Sequence, residues 1–217
     1  LFKEIFVILE KEFKVEYRQK YAIGSILLYV FAAVYIVYTA ITRLPNEIWH
    51  AQYWIIVLFA AMNAVLKSFV QDTPSRQLYL YTLLSPYSVI LAKMLYNGVV
   101  LILLCILCFG TMTLFTGSPT KDFGLFTLSI FLGSFGLATT LTFIASVAAK
   151  GNNQSTLMAI LGFPVIIPVL LIVLKMTAQA NGIVADDSLI SDIQILIGFN
   201  FLLVGLALFL FPFVWKD

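Results

Sequence analysis

Apolar residues along the chain fall into one short periodic segment followed by six nearly continuous runs. In the first, 1–21, Phe2, Phe6, Leu9, Phe13 and Tyr17 recur every three or four positions, while Lys3, Glu10, Lys11, Lys14 and Arg18 occupy other faces. That recurrence matches the 3.6-residue period and predicts an amphipathic helix. Glu10 with Lys14 and Glu16 with Lys20 stand four apart in the favourable acid-before-base order. An aromatic stripe beside basic residues predicts that this helix lies along a membrane surface. The runs that follow, near 23–42, 49–70, 88–116, 124–149, 156–178 and 193–214, suit the roughly 20 apolar residues needed to cross about 30 Å of hydrocarbon. The pattern predicts an all-α integral membrane protein, with six transmembrane helices preceded by an N-terminal amphipathic interfacial helix.

Composition strengthens this reading. Apolar residues make up 61% of the chain and charged residues 11%, with a mean hydropathy of +1.00, whereas a soluble domain carries about a quarter charged residues. Lipid is the expected solvent, with no room for a soluble catalytic domain. A net charge of +2 is too small to suggest nucleic-acid binding, but its distribution is informative. Lys3, Lys11, Lys14, Arg18, Lys20, Lys67, Arg76, Lys93, Lys150 and Lys216 fall on the side of the termini, and Arg43, Lys121 and Lys175 on the other. Basic loops are retained in the cytoplasm, so both termini are expected there. Trp49, Trp54 and Trp215 fall near span ends, where headgroup-level rings are expected.

The connections are short. The one with internal structure is 71–86, expected on the cytoplasmic face and bracketed by two helix-start signals, Thr73-Pro74 and Ser85-Pro86. It predicts a short docking helix, with Leu78, Tyr81 and Leu84 along one flank suited to a hydrophobic groove. Lys150 to Ser155 reads as a tight polar turn in which Gly151 ends the fourth span, and the longest outer connection, 181–192, carries Asp186, Asp187 and Asp192.

Candidate chemistry is sparse. The absence of a Gly-x-x-x-x-Gly-Lys-[Ser/Thr] loop and of a paired His/Glu metal motif predicts neither nucleotide hydrolysis nor a metal site. His50, the single histidine, could offer an axial nitrogen to haem iron but reads more simply as solvated at a span edge. Cys105 and Cys108 have redox-motif spacing but lie mid-span, where thiols act as small apolar groups. Lys67, Lys93 and Lys175 are near enough to span ends to reach the interface. Asn63, Asn97 and Asn200 are expected to make interhelical hydrogen bonds. Pro164 and Pro168 share one face of the fifth span, where they read as a packing kink or a gate. The spacings Ser134/Ala138 and Ala145/Ala149 predict close helix approach.

The residues also carry a resemblance. Phe69-x-x-Asp72 followed by Leu78, then Leu83-Leu84-Ser85-Pro86, Leu91-Ala92-Lys93 and Pro164-x-x-x-Pro168 resemble the haem exporter protein B (CcmB) family within the ABC-2-type permeases. The similarity covers almost the whole length as one transmembrane domain, 1–217. Where the family has an acidic residue, Asp-Gly and Leu-Glu, this chain has Ser75, Arg76 and, after Leu78, Tyr79, so those acidic contacts are not carried over although the helix is. The resemblance implies a multi-pass inner-membrane permease that is not itself an enzyme. It further implies a dimer docked on ATP-binding cassette ATPase subunits and working with small membrane subunits of the cytochrome c maturation system. Asp72, Thr73, Pro74, Arg76, Leu78, Tyr81 and Leu84 would then couple ATP hydrolysis in the partner to haem delivery or to release of a haem-loaded chaperone. The chain alone is expected to hold no cofactor: ATP belongs to the partner and haem is cargo. The alternatives are a permease of the same class for a lipid, glycan or drug, and a non-transporting assembly scaffold.

Overall fold

The computed structural model describes residues 1–18, 20–41, 45–70, 84–148, 154–184 and 188–216. Among them there are seven helices and no strand: α1 Phe2–Arg18, α2 Lys20–Ala40, α3 Asn46–Val70, α4 Pro86–Thr116, α5 Phe123–Ala148, α6 Gln154–Ala180 and α7 Leu189–Lys216. Five of the described stretches are long and apolar enough to cross a membrane: Asn46–Phe69, Pro86–Thr116, Phe123–Ala148, Thr156–Ala180 and Leu189–Phe213. In α2 the described apolar part is shorter, Gly24–Ala40.

Local chemistry sets the helix ends. Ser85, extended at φ −74° and ψ 141°, caps α4 by accepting from the Ser88 amide, with Pro86 at the first helical position, as the sequence signal predicts. At the other end Gly117 takes φ 80°, which favours glycine, and its amide closes on the Thr113 carbonyl at 3.0 Å. The Asp122 carboxylate accepts from the Leu125 amide at the start of α5.

Helix α5 is the centre of the bundle, packed by α3, α4, α6 and α7. Between apolar helices in lipid, close packing and hydrogen bonds supply the association energy that water expulsion supplies elsewhere, so small residues decide where helices meet. Ser134, Ala138 and Ala145 are buried as expected, whereas Ala149 lies outside the described residues. Tighter contacts occur at two positions the sequence did not single out. A Cβ on Gly133 would come within 2.6 Å of the Trp54 ring and 2.8 Å of Val173, and one on Gly136 within 2.9 Å of the Asn200 side-chain oxygen.

Trp49 and Trp54 are not headgroup anchors. Each is 1% exposed, and with Tyr53, Phe109 and Phe126 they form an aromatic cluster inside the bundle. Their polar edges are satisfied within it: Trp49 donates to Thr116 Oγ1 at 3.0 Å, Trp54 to Thr177 Oγ1 at 3.1 Å and Tyr53 to the Cys105 carbonyl at 3.0 Å. Trp215 lies outside the residues whose side chains are described. Cys105 and Cys108 are buried free thiols, and Ser134 donates to the Cys105 sulfur. Pro164 and Pro168 lie within a continuous α6, Pro164 exposed and Pro168 half-buried.

Candidate functional site

The densest polar constellation among the described side chains joins α1 to the two helix ends flanking segment 71–83. Its origin is a single row of α1, because residues four apart lie one above another on a helix. Glu4, Ile8, Glu12 and Glu16 form that row, and it faces the bundle. Phe2 and Phe6 are exposed, and Phe13, although partly exposed, packs edge-on against Tyr96 of α4 with ring centroids 5.2 Å apart. Ile8 inserts into an apolar cluster with Val89, Ile90, Met94, Ala207 and Phe211, against which Ile5 and Leu9 also pack.

Each glutamate finds its own partner. Glu16 accepts from Lys67 in the last turn of α3 at 2.7 Å; the side chain of Lys20, its expected partner, lies outside the described residues. Glu12, 7% exposed, lies 3.4 Å from Lys11 and 3.6 Å from Lys93. Glu4 accepts from Ser88 at 2.5 Å and Ser85 at 3.2 Å at the head of α4. The Ser88 hydroxyl is the main cause of a Glu4 carboxyl held below its ordinary value of 4.5, against a smaller opposing effect of burial. The other predicted pair, Glu10 with Lys14, is present and exposed.

Lys93 therefore does not extend to the interface as a solvated charge. It is 4% exposed, donates to the Ser68 carbonyl at 2.7 Å and lies 4.7 Å over the Phe69 ring. From Ser68 the polar contacts continue inward: Asn97 donates to Ser68 Oγ at 3.4 Å and to Thr142 of α5 at 2.9 Å. One connected chain, Glu12–Lys93–Ser68–Asn97–Thr142, thus runs from the surface helix to the central one. At the opposite end of the bundle Lys175 is likewise paired, with Asp192 at 3.0 Å and Ser188 at 2.6 Å.

Of the residues expected to contact a partner, Asp72, Thr73, Pro74, Arg76, Leu78 and Tyr81 lie outside the described residues, as does most of the 150–155 turn. Leu84 is half-buried and packs on the Ile8 cluster. The α1 carboxylates escaped the sequence reading because acids on an amphipathic helix look like its solvated face; their four-residue spacing was the available signal. His50 is half-buried, with Nδ1 3.2 Å from the Asn46 carbonyl of its own helix, far along α3 from this constellation. No group of His, Cys, Asp and Glu among the described residues could hold a metal ion.

The CcmB family model matches residues 3–215, spanning α1, all of the intervening helices and nearly all of α7. The chain belongs to the CcmB family. Comparison with curated proteins gives no match. As a CcmB protein it is a multi-pass membrane permease subunit for haem export in cytochrome c biogenesis. In this CcmB chain the constellation at α1 carries no nucleophile or metal-ligand set. Its chemistry is that of an attachment, in which carboxylates, ammonium groups and hydroxyls fix one helix onto two others.

Proposed function

We propose that this chain is the membrane half of an ATP-driven haem-handling complex and that α1, with segment 71–83, receives the motion generated by a separate ATPase. The family match over 3–215 carries the proposal. The α1 row supports the mechanical part: its carboxylates hold Lys67 just before the segment and Ser85 and Ser88 just after it. A push on 71–83 therefore moves α3, α4 and α1 together. In this reading α2 is a sixth span, α1 lies at the interface with its aromatic row in lipid, and both termini are cytoplasmic. Asp72, Thr73, Pro74, Arg76, Leu78 and Tyr81 meet the ATPase, and two copies of the chain act with small membrane subunits. Haem is cargo, delivered or released with its chaperone, and not a resident group.

The test is retention of the ATPase on Leu78→Asp and Tyr81→Asp variants solubilised in mild detergent. Charge placed in an apolar groove costs several kcal/mol, about 3 or more, so both variants are expected to lose the partner while Val7→Asp keeps it. Wild-type retention by both would remove the coupling role from this segment.

A further inference from the structure

Between α1, α2 and α4 lies a slot of about 300 Å³. Along α4 its wall runs from Tyr96 through Val100, Leu103 and Leu104 to Leu107, eleven residues or about 16 Å at 1.5 Å per residue. The facing wall from α2 is Ile26 and Leu27, so beyond Tyr96 these two helices contribute aliphatic side chains alone. Lys93, three residues before Tyr96, is the single charged residue of α4. The slot therefore starts just past the level of the ion pair between Lys93 and Glu12 and runs along the uncharged length of the helix. One leaflet of hydrocarbon is about 15 Å deep, half of a core about 30 Å thick. The slot has the length and the chemistry of one acyl chain.

Its α1 end is different. Phe13 and Tyr17 line the slot and also a hollow on the surface of α1, where they stand with Glu10, Lys14 and Arg18. The charges can be counted. Glu16, at the mouth of the slot, is balanced by Lys67, and Glu10 in the hollow by Lys14. Those two pairs cancel and leave Arg18, exposed in the last turn of α1, as one net positive charge. A guanidinium presents paired donors that fit phosphate oxygens, and basic groups at the headgroup level attract anionic lipid. We propose that slot and hollow together hold one phospholipid molecule, with an acyl chain between α2 and α4 and the phosphate on Arg18 and Lys14. Two matches select this occupant: an apolar slot one leaflet long, and a single net positive charge at its mouth for a single phosphodiester.

The site stands apart from the coupling role of α1, so its failure leaves the ATPase-retention test untouched. The full-length chain is extracted in mild detergent and weighed by native mass spectrometry, where one phospholipid per chain is expected to survive washing. Delipidated protein is then titrated with phosphatidylglycerol and with diacylglycerol of the same chains. Phosphatidylglycerol should bind at one per chain and diacylglycerol at least about tenfold more weakly, because Lys14 and Arg18 each contribute about fivefold to holding an anionic headgroup. Arg18→Ala should weaken phosphatidylglycerol alone, by about fivefold. Val100→Trp fills the slot and should weaken both lipids, whereas Leu114→Trp, exposed on α4 beyond the slot, should weaken neither. Arg18 is exposed, so its variant decides the matter even if Val100→Trp does not fold. Equal binding of the two lipids, or wild-type binding by Arg18→Ala, would overturn the phosphate site. Retention of lipid by Val100→Trp at the wild-type level would overturn the slot, and a retained ligand that is not a phospholipid would overturn the choice of occupant.

Discussion

Trp54 lies so close to Gly133 that a single methyl group would not fit between them. The indole is pinned by Thr177 at 3.1 Å, and the added Cβ would sit 2.6 Å from the ring and 2.8 Å from Val173. Gly133→Ala is therefore expected to cost about 1–3 kcal/mol through overpacking. Gly110→Ala, with open space around it, should be neutral or gain up to roughly 1 kcal/mol of helix propensity. Thermal midpoints in detergent decide this, and a Gly133→Ala protein as stable as Gly110→Ala would contradict the packing. A second residue-scale expectation concerns Glu4. A carboxyl whose value is lowered on folding stabilises the folded form above its ordinary value, and that contribution fades as pH falls through the lowered one. Ser88→Ala should raise the Glu4 value towards 4.5 and release α1 at higher pH, read from the mobility of a spin label at Val7→Cys; an unchanged midpoint would remove Ser88 as the anchor. Residue identities foretold the buried thiols and the interhelical bonds of Asn97 and Asn200. They misplaced Trp49 and Trp54, because distance from a span end does not reveal which side of the helix faces its neighbours.

At the level of elements, helix existence was legible wherever apolar length or period was strong, and the Ser85-Pro86 start was legible because its hydroxyl has one use there. The docking face of α1 was not. A stripe of Phe and Tyr suits lipid or protein equally well, and only Lys67 and Lys93 on other helices reveal that the acidic row turns inward. Glu12 and Lys93 are both buried, and removing Glu12 takes a carboxylate from Lys93 while leaving it the Ser68 carbonyl and the Phe69 ring. Glu12→Ala is expected to destabilise by about 1–3 kcal/mol, whereas Glu12→Leu combined with Lys93→Met should recover most of that loss. Glu10→Ala breaks only the exposed pair with Lys14 and should change stability little. A double-mutant cycle on detergent unfolding measures the coupling, and additive single losses would show that the pair does not hold α1.

For the whole molecule, the question is whether docking of a partner and transmission of its motion can be separated. The polar chain from Glu12 through Lys93, Ser68 and Asn97 to Thr142 ends on α5, which packs against α3, α4, α6 and α7. Through Lys67 near the end of α3 and Ser85 and Ser88 at the head of α4, the α1 carboxylates join into one unit the two helices that precede and follow residues 71–83 in the chain. A variant that replaces the buried pair by apolar groups, Glu12→Leu with Lys93→Met, leaves Leu78 and Tyr81 unchanged and should still hold the ATPase. It removes the ion pair between α1 and α4, leaving Glu4 on Ser85 and Ser88, and should therefore slow ATP-dependent haem attachment to cytochrome c without loss of the partner. Leu78→Asp should lose both. The comparison is made in membranes containing the full maturation system, with ATPase co-purification and covalent haem on cytochrome c measured on the same preparations. If the apolar pair supports haem attachment at the wild-type rate, α1 serves only to hold the bundle together, and motion must enter through α3 and α4 alone.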